Sequence, residues 1–234
     1  MAVQPRRRLV GNRLALAGAI LYLLEWVGIL AFNIGDVPGA RGTTSAAILT
    51  EYNQHAAGIA MLASWLSIVL LGRILFVAAI RDGLRRSTAG SVWVDFSLGA
   101  MVVSVMIEIA AYAVAGGAVQ AAAHADQSAV IGLDAAANWR NLVIIGPFAV
   151  AVLTGSLGML HSHLFPRWLC WLGLAGGAVL LVDGLILGPA FRGGGSLFQA
   201  SQLLQSAVLF VWVWMIATGV VLFRAAGRGR EGES

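Results

Sequence analysis

The sequence predicts an all-α fold, a six-transmembrane-helix bundle that forms one domain over residues 1–234. Hydrophobic residues make up 59% of the chain and charged residues only 11%, whereas a soluble domain is about 45–50% apolar and about 25% charged. The sequence also contains six apolar segments long enough to cross a bilayer, which takes about 20 residues of helix. Because these segments use most of the chain, we expect no separate soluble domain.

The first span is predicted at 14–33. Arg6, Arg7 and Arg8 precede it, as in a signal peptide, but the apolar run is longer than a signal-peptide core and contains Glu25. We therefore expect a retained helix. The connections between spans are marked by glycine, proline or charge. The other five spans are predicted at 56–80, 92–117, 139–160, 168–190 and 203–223.

The distribution of arginine predicts the orientation. One side of the bundle is expected to carry Arg6, Arg7, Arg8, Arg13, Arg81, Arg85, Arg86, Arg167, Arg224, Arg228 and Arg230. The other side receives Arg41, Arg140 and Arg192. The positive-inside rule then places both termini in the cytoplasm. Lysine is absent while alanine and glycine are abundant, which indicates a high-GC bacterium and hence a multi-pass protein of the bacterial inner membrane. Arg73 falls inside the second span, where its side chain either snorkels to the interface or forms a buried ion pair.

Several functional classes are excluded or receive no support. The pI near 10.2 does not indicate a nucleic-acid partner, because the arginines lie at span ends and form no binding face. Cys170 is alone, so no internal disulfide is possible. His161 and His163 share a short loop, but no cysteine or carboxylate flanks them, so we expect no metal site there. No phosphate-binding loop or hydrolase motif occurs, and no cofactor is expected. The oligomeric state is not predicted.

Three acidic residues lie deep in predicted spans: Glu25, Glu108 and Asp183. A charged carboxylate in the middle of a bilayer costs about 2.5–3.5 kcal/mol on insertion scales. At about 1.5 Å of rise per residue, all three fall at similar, middle-to-outer depth, and we expect them to line one cavity. We predict Glu25 or Asp183 as the catalytic acid, Glu108 as its partner, and Tyr112 and Asn33 as orienting groups. The alternative is structural: Glu108 pairs with Arg140, and the other acids are neutral and hydrogen-bonded.

Other side chains are predicted to bind substrate in the same cavity. Tyr22 shares a helix face with Glu25, because the two are three residues apart. Trp26 and Trp212 lie deep in the predicted spans. Their rings either pack against other helices or lipid, or bind a hydrophobic or cationic species. The full set of predicted substrate-binding residues is Tyr22, Trp26, His55, Asn138, Arg140, Asn141 and Trp212.

The last hundred residues carry a family resemblance. The relevant residues are Asn138-x-x-Asn141, Pro147, Gly155-x-x-Gly158, the stretch Phe165-Pro166-Arg167-Trp168-Leu169-Cys170-Trp171-Leu172-Gly173, and Trp214-x-x-x-x-Gly219-x-x-Leu222. Over residues 138–222 the chain resembles a bacterial six-span integral membrane family of unknown function. The resemblance implies the fold and brings no chemistry.

Three functions remain open. The first is a membrane-embedded, metal-independent enzyme, cyclase-like or isomerase-like, in which a carboxylic acid delivers a proton to an isoprenoid or lipid. The second is a proton-coupled small-molecule transporter, because intramembrane acids also relay protons; the lack of a visible repeat counts against it. The third is a non-catalytic protein that binds lipid or a partner subunit. The expected partners are membrane lipids and a hydrophobic small molecule.

Overall fold

A computed structural model of the chain describes residues 11–32, 44–85, 90–193 and 195–231. Within these ranges the side chains of Phe32, Asn141, 191–193, Gly195 and 228–231 are not described. All regular structure in the described residues is helical. The helices are α1 (Leu14–Phe32), α2 (Ser45–Gln54), α3 (Ala56–Val69), α4 (Leu71–Gly83), α5 (Ser91–Ala123), α6 (Gln127–Ser162), α7 (Arg167–Gly193), α8 (Gly195–Gln205) and α9 (Val208–Glu231).

The predicted six-span, all-α fold is confirmed. Six helical stretches are long and apolar enough to cross a membrane: Leu14–Ala31, Ala56–Gly83, Ser91–Ala123, Gln127–Ser162, Arg167–Ala190 and Ser196–Gly227. The second stretch consists of α3 and α4, which meet at Leu70. Since Leu70 keeps right-handed helical angles (φ −64°, ψ −25°), the junction interrupts the hydrogen-bond ladder without ending the span. The last stretch likewise joins α8 to α9.

Helices α5 and α6 are longer than their predicted spans. They have 33 and 36 residues, or about 50 Å of helix each at 1.5 Å per residue, against a hydrocarbon core of about 30 Å. The excess lies around their connecting turn, where the Asp126 carboxylate accepts the Ala129 N–H at 3.1 Å and caps α6. This hydrogen bond, with a second from Ser128, holds the pKa of Asp126 below its usual value. Helix α2 packs against this extension.

The helices pack in sequence order, except that α9 closes the bundle. Helix α1 contacts α4, α9 and α3, while α5 packs on α6, α6 on α7, and α7 on α8 and α9. Helices α1 and α4 approach each other closely where Gly18 and Gly72 face each other. A methyl group on Gly72 would lie 2.5 Å from the Gly18 carbonyl oxygen and 2.6 Å from the Tyr22 nitrogen. The glycines therefore let two backbones touch, as is common for helices in lipid.

One end of the bundle collects most of the described arginines, and we call it the arginine-rich end. Here the Asn12 side chain donates to Asp82 at 2.9 Å, which ties the start of α1 to the end of α4. Arg81 of α4 forms an ion pair with Asp95 of α5. The Arg13 guanidinium carbon lies 5.4 Å from the Phe223 ring centroid, near the end of α9. The opposite end, which carries α2 and the α5–α6 turn, is called the distal end.

Candidate functional site

A buried ion pair lies at the centre of the bundle. Arg73, in the first turn of α4, pairs with Glu108 of α5, and only 2% and 12% of the two side-chain surfaces are exposed. The Arg73 guanidinium carbon also lies 4.8 Å from the ring centroid of Tyr22 and 5.0 Å from that of Phe148. Arg73 therefore does not snorkel to the interface. The carboxylate and two aromatic faces replace the water that a guanidinium would otherwise require.

Glu108 lies on the wall of a cavity of about 420 Å³, which we call the chamber. It is bounded by α1, α5, α6, α7 and the junction of α8 with α9. Its lining residues are Glu25, Trp26, Ile29, Glu108, Tyr112, Leu142, Ile144, Ile145, Phe148, Leu180, Leu187, Gln205 and Val208. Most of this wall is aliphatic or aromatic, and it carries two carboxyl groups on two different helices. Two of the three predicted acids thus share one cavity.

Aromatic side chains surround Glu25 on the α1 side of the chamber. The Tyr22 phenol lies within hydrogen-bonding reach of Glu25 and Trp212 and within electrostatic range of Arg73. Trp26, which lines the chamber, packs edge-to-face on Trp212 with ring centroids 5.2 Å apart. Three residues that were predicted to bind substrate therefore lie together beside Glu25 in the structure: Tyr22, Trp26 and Trp212.

Asp183, the third acid, lies beside the chamber with a partner of its own. It is completely buried, and its Oδ1 accepts a hydrogen bond from Ser201 Oγ of α8 at 2.6 Å. Its Oδ2 has no hydrogen-bond partner among the described residues. Leu180 and Leu187, three residues before and four after Asp183, both line the chamber, so Asp183 lies on the same face of α7. It does not itself contribute to the wall.

The structure places the other predicted site residues elsewhere. His55 is exposed between α2 and α3. The Asn138 side chain donates to the Asp134 carbonyl at 3.0 Å. Arg140 is exposed on the other side of the α5–α6 pair and donates to the Ala110 carbonyl at 3.3 Å, so the alternative pairing of Glu108 with Arg140 does not occur. Asn33 lies outside the described residues, and the Asn141 side chain is not described.

Two polar contacts were missed by the sequence reasoning. Tyr52 of α2 is completely buried and donates to the Asp134 carboxylate of α6 at 3.0 Å. Ser201 was not singled out either. Neither pair has a local signal, because the partners lie on different helices, 82 and 18 residues apart in the sequence. No cluster of three or more histidine, cysteine or acidic side chains that could hold a metal occurs in the described part of the chain.

Comparison with known proteins identifies a family. A family model described as Domain of unknown function (DUF4386) matches residues 16–222. The match reaches from the first to the last span, and it confirms the resemblance to a family of unknown function that residues 138–222 indicated. No curated protein and no solved structure matches the chain.

Proposed function

Because the chain belongs to the DUF4386 family of unknown function and is a membrane-embedded helical protein, we propose its function from the site itself. We propose a membrane-embedded enzyme that acts on a hydrophobic isoprenoid or lipid by proton transfer from a carboxylic acid. The observation that carries the proposal is the pair of carboxyl groups, Glu25 and Glu108, on the wall of an otherwise largely apolar chamber.

The proposal gives the two acids different roles. Arg73 pairs with Glu108 and keeps it ionised. The two charges of this pair contribute to the electrostatic field in the chamber. Glu25 is the proposed proton donor, because a carboxylic acid on the wall of a largely apolar chamber can act as a general acid. The chamber volume of about 420 Å³ lies within the range of about 300–1,000 Å³ that small-molecule sites occupy.

The proposed reaction balances without a cofactor. The Glu25 carboxyl proton adds to one carbon of a substrate double bond, which leaves a carbocation and the Glu25 carboxylate. The aromatic faces of Trp26 and Tyr112, both on the chamber wall, stabilise the cation. A carbon next to the cation then loses a proton to Glu25, so that a shifted double bond forms and the acid is restored.

Deuterium incorporation tests this function. Purified protein in lipid vesicles is incubated in D2O with bacterial polyprenols and membrane lipids, and mass spectrometry measures deuterium at carbon. We expect incorporation with the native protein, none with Glu25→Gln, and native levels with Glu51→Gln, which alters an exposed acid on α2. No incorporation into any pool, or equal incorporation with Glu25→Gln, would exclude the enzyme.

The two chamber acids and the buried Arg73 support one further candidate function, proton-coupled transport. Intramembrane acids next to a buried arginine can exchange a proton for a substrate. In that case solute uptake into vesicles would depend on a pH gradient, and Glu25→Gln would remove this dependence. A lipid that copurifies with the protein and is neither converted nor moved would instead indicate the non-catalytic binding function.

We propose the bacterial inner membrane as the location, with the arginine-rich end and both termini in the cytoplasm. The arginine distribution supports this orientation. Membrane lipids and the hydrophobic substrate are the proposed partners, and one domain over 1–234 is the proposed unit. A reporter enzyme fused to residue 234 that is active only in the cytoplasm would support the orientation.

A further inference from the structure

Four completely buried side chains carry polar atoms that have no hydrogen-bond partner among the described residues. They are Ser104 Oγ, Ser156 Oγ, Trp214 Nε1 and Thr218 Oγ1. In folded proteins the large majority of buried polar atoms are bonded to protein or to ordered water. Nearby Thr154 shows the usual solution within a helix, since its hydroxyl donates to the Val150 carbonyl at 2.7 Å. Four unpartnered groups in one bundle therefore need another explanation.

The four groups lie between the chamber and the arginine-rich end. On α5, Ser104 lies one turn from Glu108, toward the arginine-rich end. On α6, Ser156 lies two turns beyond Phe148, which lines the chamber. On α9, Trp214 and Thr218 are one turn apart and follow Val208, another chamber residue. The polar atoms thus occur at successive levels along the inner faces of three helices.

Two of these atoms point to one spot beside Gly173. A methyl group on Gly173 would collide with Ser156 Oγ and lie 2.6 Å from Trp214 Nε1. The indole N–H and the hydroxyl therefore both lie against Gly173 and close to each other. Since a buried water needs two to four polar partners, a donor and a hydroxyl this close together supply two of the partners that one shared water would need.

The inner face of α5 extends this line toward the arginine-rich end. Ser97 lies two turns beyond Ser104, and its hydroxyl donates to the Ala151 carbonyl at 2.6 Å. Val94 and Asp95 follow, and both line a cavity of about 460 Å³ at the arginine-rich end. This cavity lies at the end of the line, within one turn of Ser97 on α5.

We propose that water bound to these side chains forms a proton path from the arginine-rich end to the chamber. The inference deepens the proposed function and rests on it for its purpose, which is to exchange the Glu25 proton with one side of the membrane. The serine and threonine hydroxyls accept a proton on one side and donate one on the other, so no net charge stays on them. Trp214 can only donate, and it therefore orients a water without relaying a proton.

Exchange of the indole N–H groups with D2O tests the path. The protein is labelled with ¹⁵N-tryptophan and placed in lipid nanodiscs, and NMR follows each Nε1–H, with Trp214→Phe assigning the signal. The reference is Trp65, whose Nε1 donates to the Leu24 carbonyl at 2.8 Å. We expect Trp214 to exchange at least about tenfold faster than Trp65, because a hydrated donor needs no unfolding to exchange.

Matched variants localise the effect. We expect Thr218→Val and Ser156→Ala to slow the Trp214 exchange, and Thr154→Val, which removes a hydroxyl already bonded within its helix, to leave it unchanged. Trp214 exchange no faster than that of Trp65, or equal rates in Thr218→Val and Thr154→Val, would overturn the path. Fast exchange without deuterium transfer to any lipid would exclude the enzyme and leave the path, so the two failures are distinguishable.

Discussion

Arg73 of α4 and Glu108 of α5 form an ion pair that is almost completely removed from the surface. The pair joins the half of the bundle built on α1 and α4 to the half built on α5 and α6. Its arginine also lies against the Tyr22 and Phe148 rings. The pair therefore fixes one wall of the chamber relative to the other, and its loss should affect both stability and the proposed site.

Breaking this pair should be strongly destabilising. Arg73→Met leaves the Glu108 carboxylate buried without a cation, and removal of one partner of a buried pair costs about 3–5 kcal/mol. Glu108→Gln should cost a similar amount for the opposite reason. The double variant should be more stable than the sum of the singles implies, since it leaves no unpaired charge. Unfolding free energies from denaturant titration in micelles measure all three.

The exposed pair at the arginine-rich end provides the control. Arg81 and Asp95 also form an ion pair, but about half of each side-chain surface is exposed. Arg81→Met should therefore leave stability nearly unchanged. A double variant at Arg73 and Glu108 whose cost equals the sum of the single costs would contradict the coupling of those two residues.

The hydrogen bond between Tyr52 and Asp134 should hold α2 on the distal end. Tyr52→Phe removes the donor, so that the buried Asp134 carboxylate loses this hydrogen bond. The expected loss in the free energy of unfolding is about 1–3 kcal/mol. Asp134→Asn keeps an acceptor at the same position and should cost less. Hydrogen–deuterium exchange should locate the loosened segment at 45–54, and unchanged protection of α2 in Tyr52→Phe would contradict this contact.

The same tyrosine predicts a loss of stability at alkaline pH. Burial, together with the neighbouring Asp134 carboxylate, raises the pKa of Tyr52. The unfolded chain therefore gives up this phenol proton near pH 10, before the folded chain does, and stability falls as the pH rises above about 10. Melting temperatures in detergent between about pH 8 and about pH 11 should decline less steeply for Tyr52→Phe than for the native protein. Parallel declines would exclude the effect.

The contact between Ser201 and Asp183 should join α8 to α7. Ser201→Ala removes the hydrogen-bond donor to the completely buried Asp183 carboxyl group, and an unsatisfied buried group costs about 1–3 kcal/mol. Ser206→Ala is the matched control, because Ser206 is exposed and bonds only within its own turn. If both variants melt at the same temperature, the contact does not stabilise α8.

The six spans could be predicted because hydropathy is a local property. About 20 apolar residues suffice to identify a span, whatever the rest of the chain does. The helix ends were harder to predict. The third span was predicted to end at 117, whereas α5 runs to Ala123, because the alanine-rich stretch 118–123 continues the helix beyond the length that a bilayer requires. Helix α2 was missed because it has only 10 residues and buries only Ile48 and Tyr52, so it gives no span signal.

The site was predictable in depth but not in pairing. A rise of about 1.5 Å per residue placed Glu25 and Glu108 at similar depth, and the structure puts both on one cavity wall. Which acid meets Arg73 depends on how α4 and α5 are rotated against each other, and no single-helix pattern contains that rotation. Asp183 lies beside the chamber, but its bond to Ser201 depends on the fold of α8.

The contact between α1 and α4 gives the last prediction, because it positions Glu25. On Gly72, an added methyl group would meet only backbone or the base of a side chain: the Gly18 oxygen, the Tyr22 nitrogen and the Leu21 Cβ. Since none of these can rotate away, Gly72→Ala must push the helices apart, at a cost in stability of about 1–3 kcal/mol.

Gly116→Ala is the control, because nothing lies within 4 Å of its added methyl, and replacing a mid-helix glycine by alanine should stabilise the protein by about 0.5–1 kcal/mol. Melting temperatures should therefore shift in opposite directions. Because Glu25 follows Gly18 by two turns on α1, Gly72→Ala should also lower deuterium transfer to the lipid. Equal melting temperatures for the two alanine variants would show that the helices do not touch at Gly72.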